Sequence, residues 1–474
     1  MSSPPEQSWI YLLTILPISD ILLSMLITAE ANNLRLVCTE LKQIVSEFPW
    51  NDMETVIRGD IAKWRTCFPR AIGANISQYS YCYNPNGRRT SVADKDFVHL
   101  KGIHTLDMEG CTNITDAAFV HLKGIHTLNM AKCFQITNAA FVHLKGIQNL
   151  NMSICRQITN AAFIHLKGIH TLNMRSCHKI TDAAFVHLEG INTLNMKRCN
   201  QQTITDAAFV HLQGIHTLDM SYCDQITDAA FVNLKGIHTL NMAGCHQQTI
   251  TDAAFLHLQG IHILDMWGCK NITDAAFVHL QGIHTLDMTF CNQPTITDAA
   301  FIYLKGIQNL NMFGCNQPTI TDTAFKHLKG IHTLNMWGCN QQTITDAAFV
   351  HLKGIHTLNM SHCNQPTITY AAFVHLQGIH TLNMSLCDQQ RITDAAFVNL
   401  KGIHTLDMSF CNQQTITDAA FVHLKGIKIL NMTRCYQITD AAFVHLKGIH
   451  TLNMSECIHI RTNVARALGL PVIL

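Results

Sequence analysis

Charge is scarce in this chain. Asp, Glu, Lys and Arg make up 14% of its 474 residues, against about 25% in ordinary soluble proteins. The 33 Lys and Arg nearly cancel the 32 Asp and Glu, leaving a formal charge of +1. So even a balance lacks the basic excess with which a protein binds nucleic acid through its phosphates. An apolar content of 47% excludes a disordered chain. Motif chemistry is missing too. No HExxH, Cys-x-x-Cys or His-x-x-x-His grouping has structural-zinc spacing. No nucleophile-base pair, phosphate loop or paired carboxylate stands apart to point to catalysis. The expectation is a protein that is not an enzyme and carries no metal or cofactor.

What is abundant is unusual: 29 His, 19 Met and 19 Cys. A cysteine recurs at positions 111, 133, 155, 177, 199, 223, 245, 269, 291, 315, 339, 363, 387, 411, 435 and 457, always 22 or 24 residues from the last. A Met stands three residues before each, and most His fall in two columns of the same period. One unit has been copied many times.

The first full copy runs Ile103-His-Thr-Leu106-Asp-Met108-Glu-Gly-Cys111-Thr-Asn-Ile114, then Thr115-Asp116-Ala-Ala-Phe119-Val-His-Leu122-Lys-Gly124. Its first half has the leucine-rich-repeat pattern L-x-x-L-x-L-x-x-C-x-x-L with Ile and Met at apolar positions. Leu106 and Met108 have strand spacing and share one face, while Thr105, Asp107 and Glu109 take the other. The second half predicts a helix of about two turns. Thr115 or Asp116 caps it, Phe119 and Leu122 face inward, and Gly124 closes it in the left-handed conformation. Such a helix is unstable alone, so each unit needs neighbours. Longer copies insert two residues after the Cys, as in Cys199-Asn-Gln-Gln-Thr-Ile204, which places the insertions on one rim. At about 4.8 Å per strand, sixteen strands trace an arc of roughly 75 Å.

The repeated Cys admits disulfides, metal ligation, or a small group filling the interior and bonding loop backbone. The third reading fits one thiol per turn and a reducing compartment, cytoplasm or nucleus. The His columns, His104 to His450 before the strands and His121 to His445 on the helices, could bind soft metals or respond to acid. Inheritance by copying also explains them. Copies differ most at the two positions before each Cys. Through the middle of the array these hold Arg175, Lys197 with Arg198, Tyr222, Trp267, Phe290, Phe313 and Trp337. Exposed aromatic groups beside basic ones have the composition of a binding hot spot. The competing reading is neutral drift on a tolerant surface.

The opening differs in kind. Residues 9–29, Trp9 to Ala29, are about membrane-spanning length, but Pro17 and Asp20 interrupt them, and Met1 to Ser8 carry no Lys or Arg. Read on to Trp50, the segment becomes a set of short apolar-faced helices, one started by Pro17.

This opening resembles an F-box, in Leu16-Pro17, then Ile21, Leu22, Met25 and Leu26, then Leu34, Val37-Cys38 and Trp50. The resemblance implies that these residues bind a Skp-type adaptor of a cullin-based ubiquitin ligase. The repeats resemble the cysteine-containing leucine-rich repeats, whose mark is C-x-x-I-T-D before an apolar helix. Together the two resemble F-box/leucine-rich-repeat substrate receptors. The expected fold is α/β: a leucine-rich-repeat solenoid, with parallel strands on a concave face and short helices on a convex face, preceded by a small all-α F-box-like domain. Expected boundaries are 9–52 for that domain, 53–90 for a linker and degenerate cap repeat, 91–457 for the repeats and 458–474 for a closing cap. Expected partners are the Skp-type adaptor with its cullin core and an unidentified target protein held by the varying residues above, with no nucleic acid and no membrane. A scaffold or decoy without ligase recruitment, and a membrane-anchored receptor, are the alternatives.

Overall fold

The computed structural model describes residues 16–78, 92–461, 469 and 472–473. Two compact units divide the chain, 1–225 and 226–474.

The first unit opens with four short helices: α1 (Leu16–Ser24), α2 (Thr28–Leu34), α3 (Thr39–Glu47) and α4 (Ile61–Cys67). Thr28 begins α2, and its N–H and hydroxyl both donate to Asp52 Oδ2 at 2.6 Å. Burial raises the Asp52 pKa, but hydrogen bonds from Thr28 and Thr55 outweigh it and hold the carboxyl at about 2. Asp60 caps α4 by accepting from Ala62 N and Lys63 N. Leu23, Ala31, Val45, Trp50, Phe68 and Ala71 form the core, with Trp64 and Cys67 of α4 packed against it from the stretch expected to be a linker. The membrane-spanning alternative fails in its described part. Helix α1 ends at Ser24 and a separate helix starts at Thr28, and among the described residues no helix is long and apolar enough to cross a membrane. Residues 9–15 lie outside the described residues.

Strand β1 (Gly73–Asn75), the expected degenerate first strand, pairs in parallel with Thr105–Asp107, Ala74 opposite Leu106. From there each strand of the first unit pairs with the next in sequence, through Thr127–Asn129, Asn149–Asn151, Thr171–Asn173 and Thr193–Asn195 to Thr217–Asp219. The second unit repeats the pattern from Thr239–Asn241 to Thr451–Asn453, leucine opposite leucine at every step. Within the expected closing cap, Val472–Ile473 adds a last parallel pairing to Leu452 and Asn453. Ile460 of that cap is buried, while residues 79–91 and 462–468 lie outside the described residues.

Within a repeat the middle strand residue is buried and its neighbours are half exposed, as at Thr105–Asp107. Leu106, Met108, Cys111, Ile114, Phe119 and Leu122 are all buried. Each such large apolar side chain contributes about 1.5–3 kcal/mol on burial. The expected short helix of this copy is a 3-10 helix, Asp116–Leu122. A 3-10 turn eclipses side chains at i and i+3, which aligns Phe119 and Leu122 on the core. In several copies of the second unit one α turn precedes it, as in Asp298–Phe301 followed by Ile302–Leu304. Gly124, at φ 88°, closes the helix in the left-handed region as expected.

Polar rungs tie one repeat to the next. Asp182 accepts Thr205 N at 2.8 Å and Thr205 Oγ1 at 2.7 Å, and Thr205 Oγ1 in turn accepts Ala207 N. Asn138 makes the same rung with one bond reversed, accepting from Thr159 N and donating to Thr159 Oγ1. The two extra residues of the long copies add another set. Gln317, Gln341 and Gln365 are buried and donate to the carbonyls of Cys291, Cys315 and Cys339.

Candidate interaction surfaces

The repeated Cys is structural. Cys133 Sγ donates to Met108 O at 3.2 Å, and the same bond to the preceding repeat recurs at Cys155, Cys177 and Cys199. All cysteines among the described residues are free. Burial pushes the thiols up, with Cys199 at about 11 and Cys111 and Cys291 at about 12, so they stay protonated. Among the described residues no group of three His, Cys, Asp or Glu side chains could hold a metal ion. The His column before the strands forms stacks instead. His332, His356, His380 and His404 lie ring on ring at 4.6, 4.5 and 4.5 Å, tilted by only 11–12°. Rings stacked in parallel aim their lone pairs side by side, which does not converge on an ion.

On the helical module the predicted adaptor residues separate into two groups. Ile21, Leu22, Met25 and Val37 are exposed, Met25 by 74% and Val37 by 65%. Leu36, which the sequence reading passed over, is 80% exposed beside Val37. Leu26 and Leu34 pack against the core, and Cys38 is the half-buried N-cap of α3. Trp50 does not belong with the contact residues. It is 1% exposed, its Nε1 donates to Val45 O at 2.7 Å, and Phe48 and Phe68 meet it edge to face. Its work is to hold the helices together. The side chains of Leu16 and Pro17 lie outside what is described.

The varying pair before each Cys is positioned by the strand end. The N–H of its first member donates to the strand's last side chain: Arg175 to Asn173, Lys197 to Asn195, Trp267 to Asp265, Phe313 to Asn311 and Trp337 to Asn335, all through Oδ1. The second member adopts a left-handed backbone, φ 59° at Arg198 and Tyr222 and 55° at Phe290, or is glycine. Its N–H continues the ladder, as Phe290 N does to Phe313 O at 2.8 Å.

In the second unit this geometry gathers three rings from three repeats. Phe290 meets Phe313 at 4.6 Å, and Phe313 stacks on Trp337 at 4.1 Å and 11°. The left-handed turn swings Phe290 over Gly314, where a Cβ would come within 2.6 Å of the ring. Phe290 and Trp337 remain 42% and 37% exposed. A shallow groove floored by Asp287, Asn311, Asn335 and their strand neighbours lies on the same three strands. Trp267 stands with His246, whose Nδ1 lies 2.8 Å from Gly268 O. In the first unit Lys197 and Arg198 both lie over the Tyr222 ring, at 5.5 and 5.3 Å. Exposed aromatic rings gathered beside a shallow groove have the composition of a protein-binding hot spot. The exposed aromatic residues were legible as residue types, but not as a cluster.

Comparison with known proteins bears on the fold and the family. A chain of the Drosophila Toll–Spatzle complex matches with a TM-score of 0.55 at 15% identity, over 77% of this chain and 55% of that one. A chain of the TLR13–ssRNA13 complex matches at 0.59 and 16% identity, over 89% and 65%. One of the mouse RP105/MD-1 complex matches at 0.50 and 14%, over 78% and 66%. The chain thus spans little more than half the length of the first of these, and identities this low carry the fold alone. No curated protein matches the sequence. The model of BspA type leucine rich repeat regions matches residues 85–192, 178–308, 224–355 and 318–450. That match runs through the same copies whose strands pair leucine to leucine, so the chain belongs to the BspA-type leucine-rich-repeat family, a repeat architecture suited to protein–protein interaction.

Proposed function

We propose that this protein is the substrate-recognition adaptor of a cullin-based ubiquitin ligase, with F-box-like helices that dock on a Skp-type adaptor and cysteine-containing repeats whose strand face holds a target protein. Proximity and orientation, rather than bond chemistry, are its contribution. The observation that carries the reading is the exposed group Ile21, Leu22, Met25, Leu36 and Val37 on a module whose core is filled by Leu23, Ala31, Val45 and Trp50. Five large apolar side chains left in water around two short helices are the composition of a docking face. Free thiols throughout the described residues support a reducing compartment, cytoplasm or nucleus.

The test is a pull-down of the full chain with a Skp-type adaptor. Binding by the intact chain that is lost in Met25→Asp and in Val37→Asp supports the reading, since both positions are exposed and tolerate charge. No detectable binding by the intact chain rejects it and leaves an interaction scaffold that recruits no ligase.

A further inference from the structure

The variable positions of the first unit concentrate cations. Arg156, Arg175, Lys179, Lys197 and Arg198 come from consecutive repeats, Arg175 O and Lys197 O accepting the ladder bonds of Ile154 N and Ser176 N. Neighbouring strands stand about 4.8 Å apart, so these side chains crowd one strand-end edge. Arg156, Lys179 and Arg198 are exposed, Arg175 and Lys197 half exposed. Among the described residues none of the five is in an ion pair, although Lys132, one repeat earlier, pairs with Glu109 at 2.7 Å. Arg156 lies over Phe134, Lys179 reaches Gln157, and Arg175 Nε is enclosed with no hydrogen-bond partner.

Two acids of this region are already engaged. Asp182 is held by Thr205 N and Oγ1, and Asp219 accepts from Ser221 N and Oγ. Asp224, two residues past Tyr222, is exposed. In a chain of net charge +1, five cations have therefore been placed together with no ion pair among the described residues. Arg175, Lys197 and Arg198 stand in the varying pair before the Cys, and Arg156 and Lys179 one and two residues after it, outside the inherited Lys and His columns.

We propose that this edge binds an acidic segment of a partner protein, its carboxylates or phosphorylated side chains taken by the Arg forks and Lys197, with Tyr222 packing beneath. Arg presents two parallel N–H donors that match either anion. The inference rests on the reading of the strand face as the target-binding surface, and not on ligase recruitment.

The experiment is fluorescence anisotropy of labelled peptides with the full chain at about 150 mM salt. Its arms are a Glu-rich peptide, a phosphoserine peptide of equal charge, their Gln and Ser counterparts, and a single-stranded RNA of equal charge. Both acidic peptides should bind, the uncharged ones should not, and affinity should fall steeply with salt. Lys197→Gln combined with Arg198→Asn should weaken binding about tenfold. Asn suits the left-handed backbone at 198. Arg156→Gln, at an exposed position, should weaken it severalfold, and Lys353→Gln in the second unit should not change it. Absence of peptide binding, indifference to these variants, or equal affinity for the RNA overturns the proposal. Adaptor pull-down on the same variants keeps this outcome separate from the ligase reading.

Discussion

Replacing Tyr370 with Asp should stabilise the array by about 1–3 kcal/mol. Asp322 accepts Thr345 N and Thr345 Oγ1, and Asp346 accepts Thr369 N and Thr369 Oγ1, all at 2.7 Å. The next copy carries Tyr370 where the carboxylate belongs. Thr393 still caps its own helix by accepting Ala395 N, but among the described residues nothing on the preceding repeat receives its N–H or hydroxyl. Hydrogen bonds to a charged group contribute about 1.5–3 kcal/mol each. Two of them, less the cost of partly desolvating a new carboxylate, give the figure above. Tyr370 is 49% exposed and gives up little on removal. Because repeats couple to nearest neighbours, the gain should appear in two readouts. The guanidinium midpoint should rise, and the amide of Thr393 should exchange more slowly. Asp346→Ala should do the reverse at Thr369. If Tyr370→Asp leaves both the midpoint and the Thr393 exchange unchanged, the rung is not a source of stability and the reasoning fails.

Phe313→Ala removes the middle ring of the three and should lower target affinity at least tenfold with little change in melting, measured once a target is captured. Alkali should unfold the protein early. The thiols of Cys111, Cys155 and Cys291 are raised to about 12 in the fold, whereas free thiols ionise near about 8.5. Stability is therefore full below that point and lost as pH climbs toward the folded values. A melt series from pH 7 to 11 that stays flat contradicts this. Burial and the neighbouring imidazoles His380 and His332 lower the His356 pKa. Its share of stability is present above the ordinary histidine range and lost as pH falls. His380→Gln should raise the His356 pKa in an NMR titration.

The copied unit made most of the fold legible, because Leu106, Met108, Phe119 and Leu122 repeat with the structural period. An i, i+3 pair fits an α-helix and a 3-10 helix alike, so the helix type was not legible. Gln317 reads as a polar rim residue, yet its amide is buried on a carbonyl that only the neighbouring repeat supplies. Trp50 and Leu36 exchanged places for a similar reason. The resemblance to an F-box marked Trp50 for contact, but its indole N–H found Val45 O inside the module, while Leu36, just past the end of α2, is 80% exposed. The three-ring cluster was hidden because Phe290 and Phe313 occupy different columns, joined only by the left-handed turn.

The rungs between copies also bear on how such a chain changes length. Most repeats offer their successor the same carboxylate and carbonyls, with Asn138, Asn160 and Tyr370 as the departures, and ask the same of their predecessor. A crossover that gains or drops one whole unit leaves both new neighbours with complete partners, wherever the units on either side match in length. The array can therefore grow or shrink by genetic accident without a fresh interface having to evolve, which leaves the pair before each Cys as the part that selection is free to rewrite.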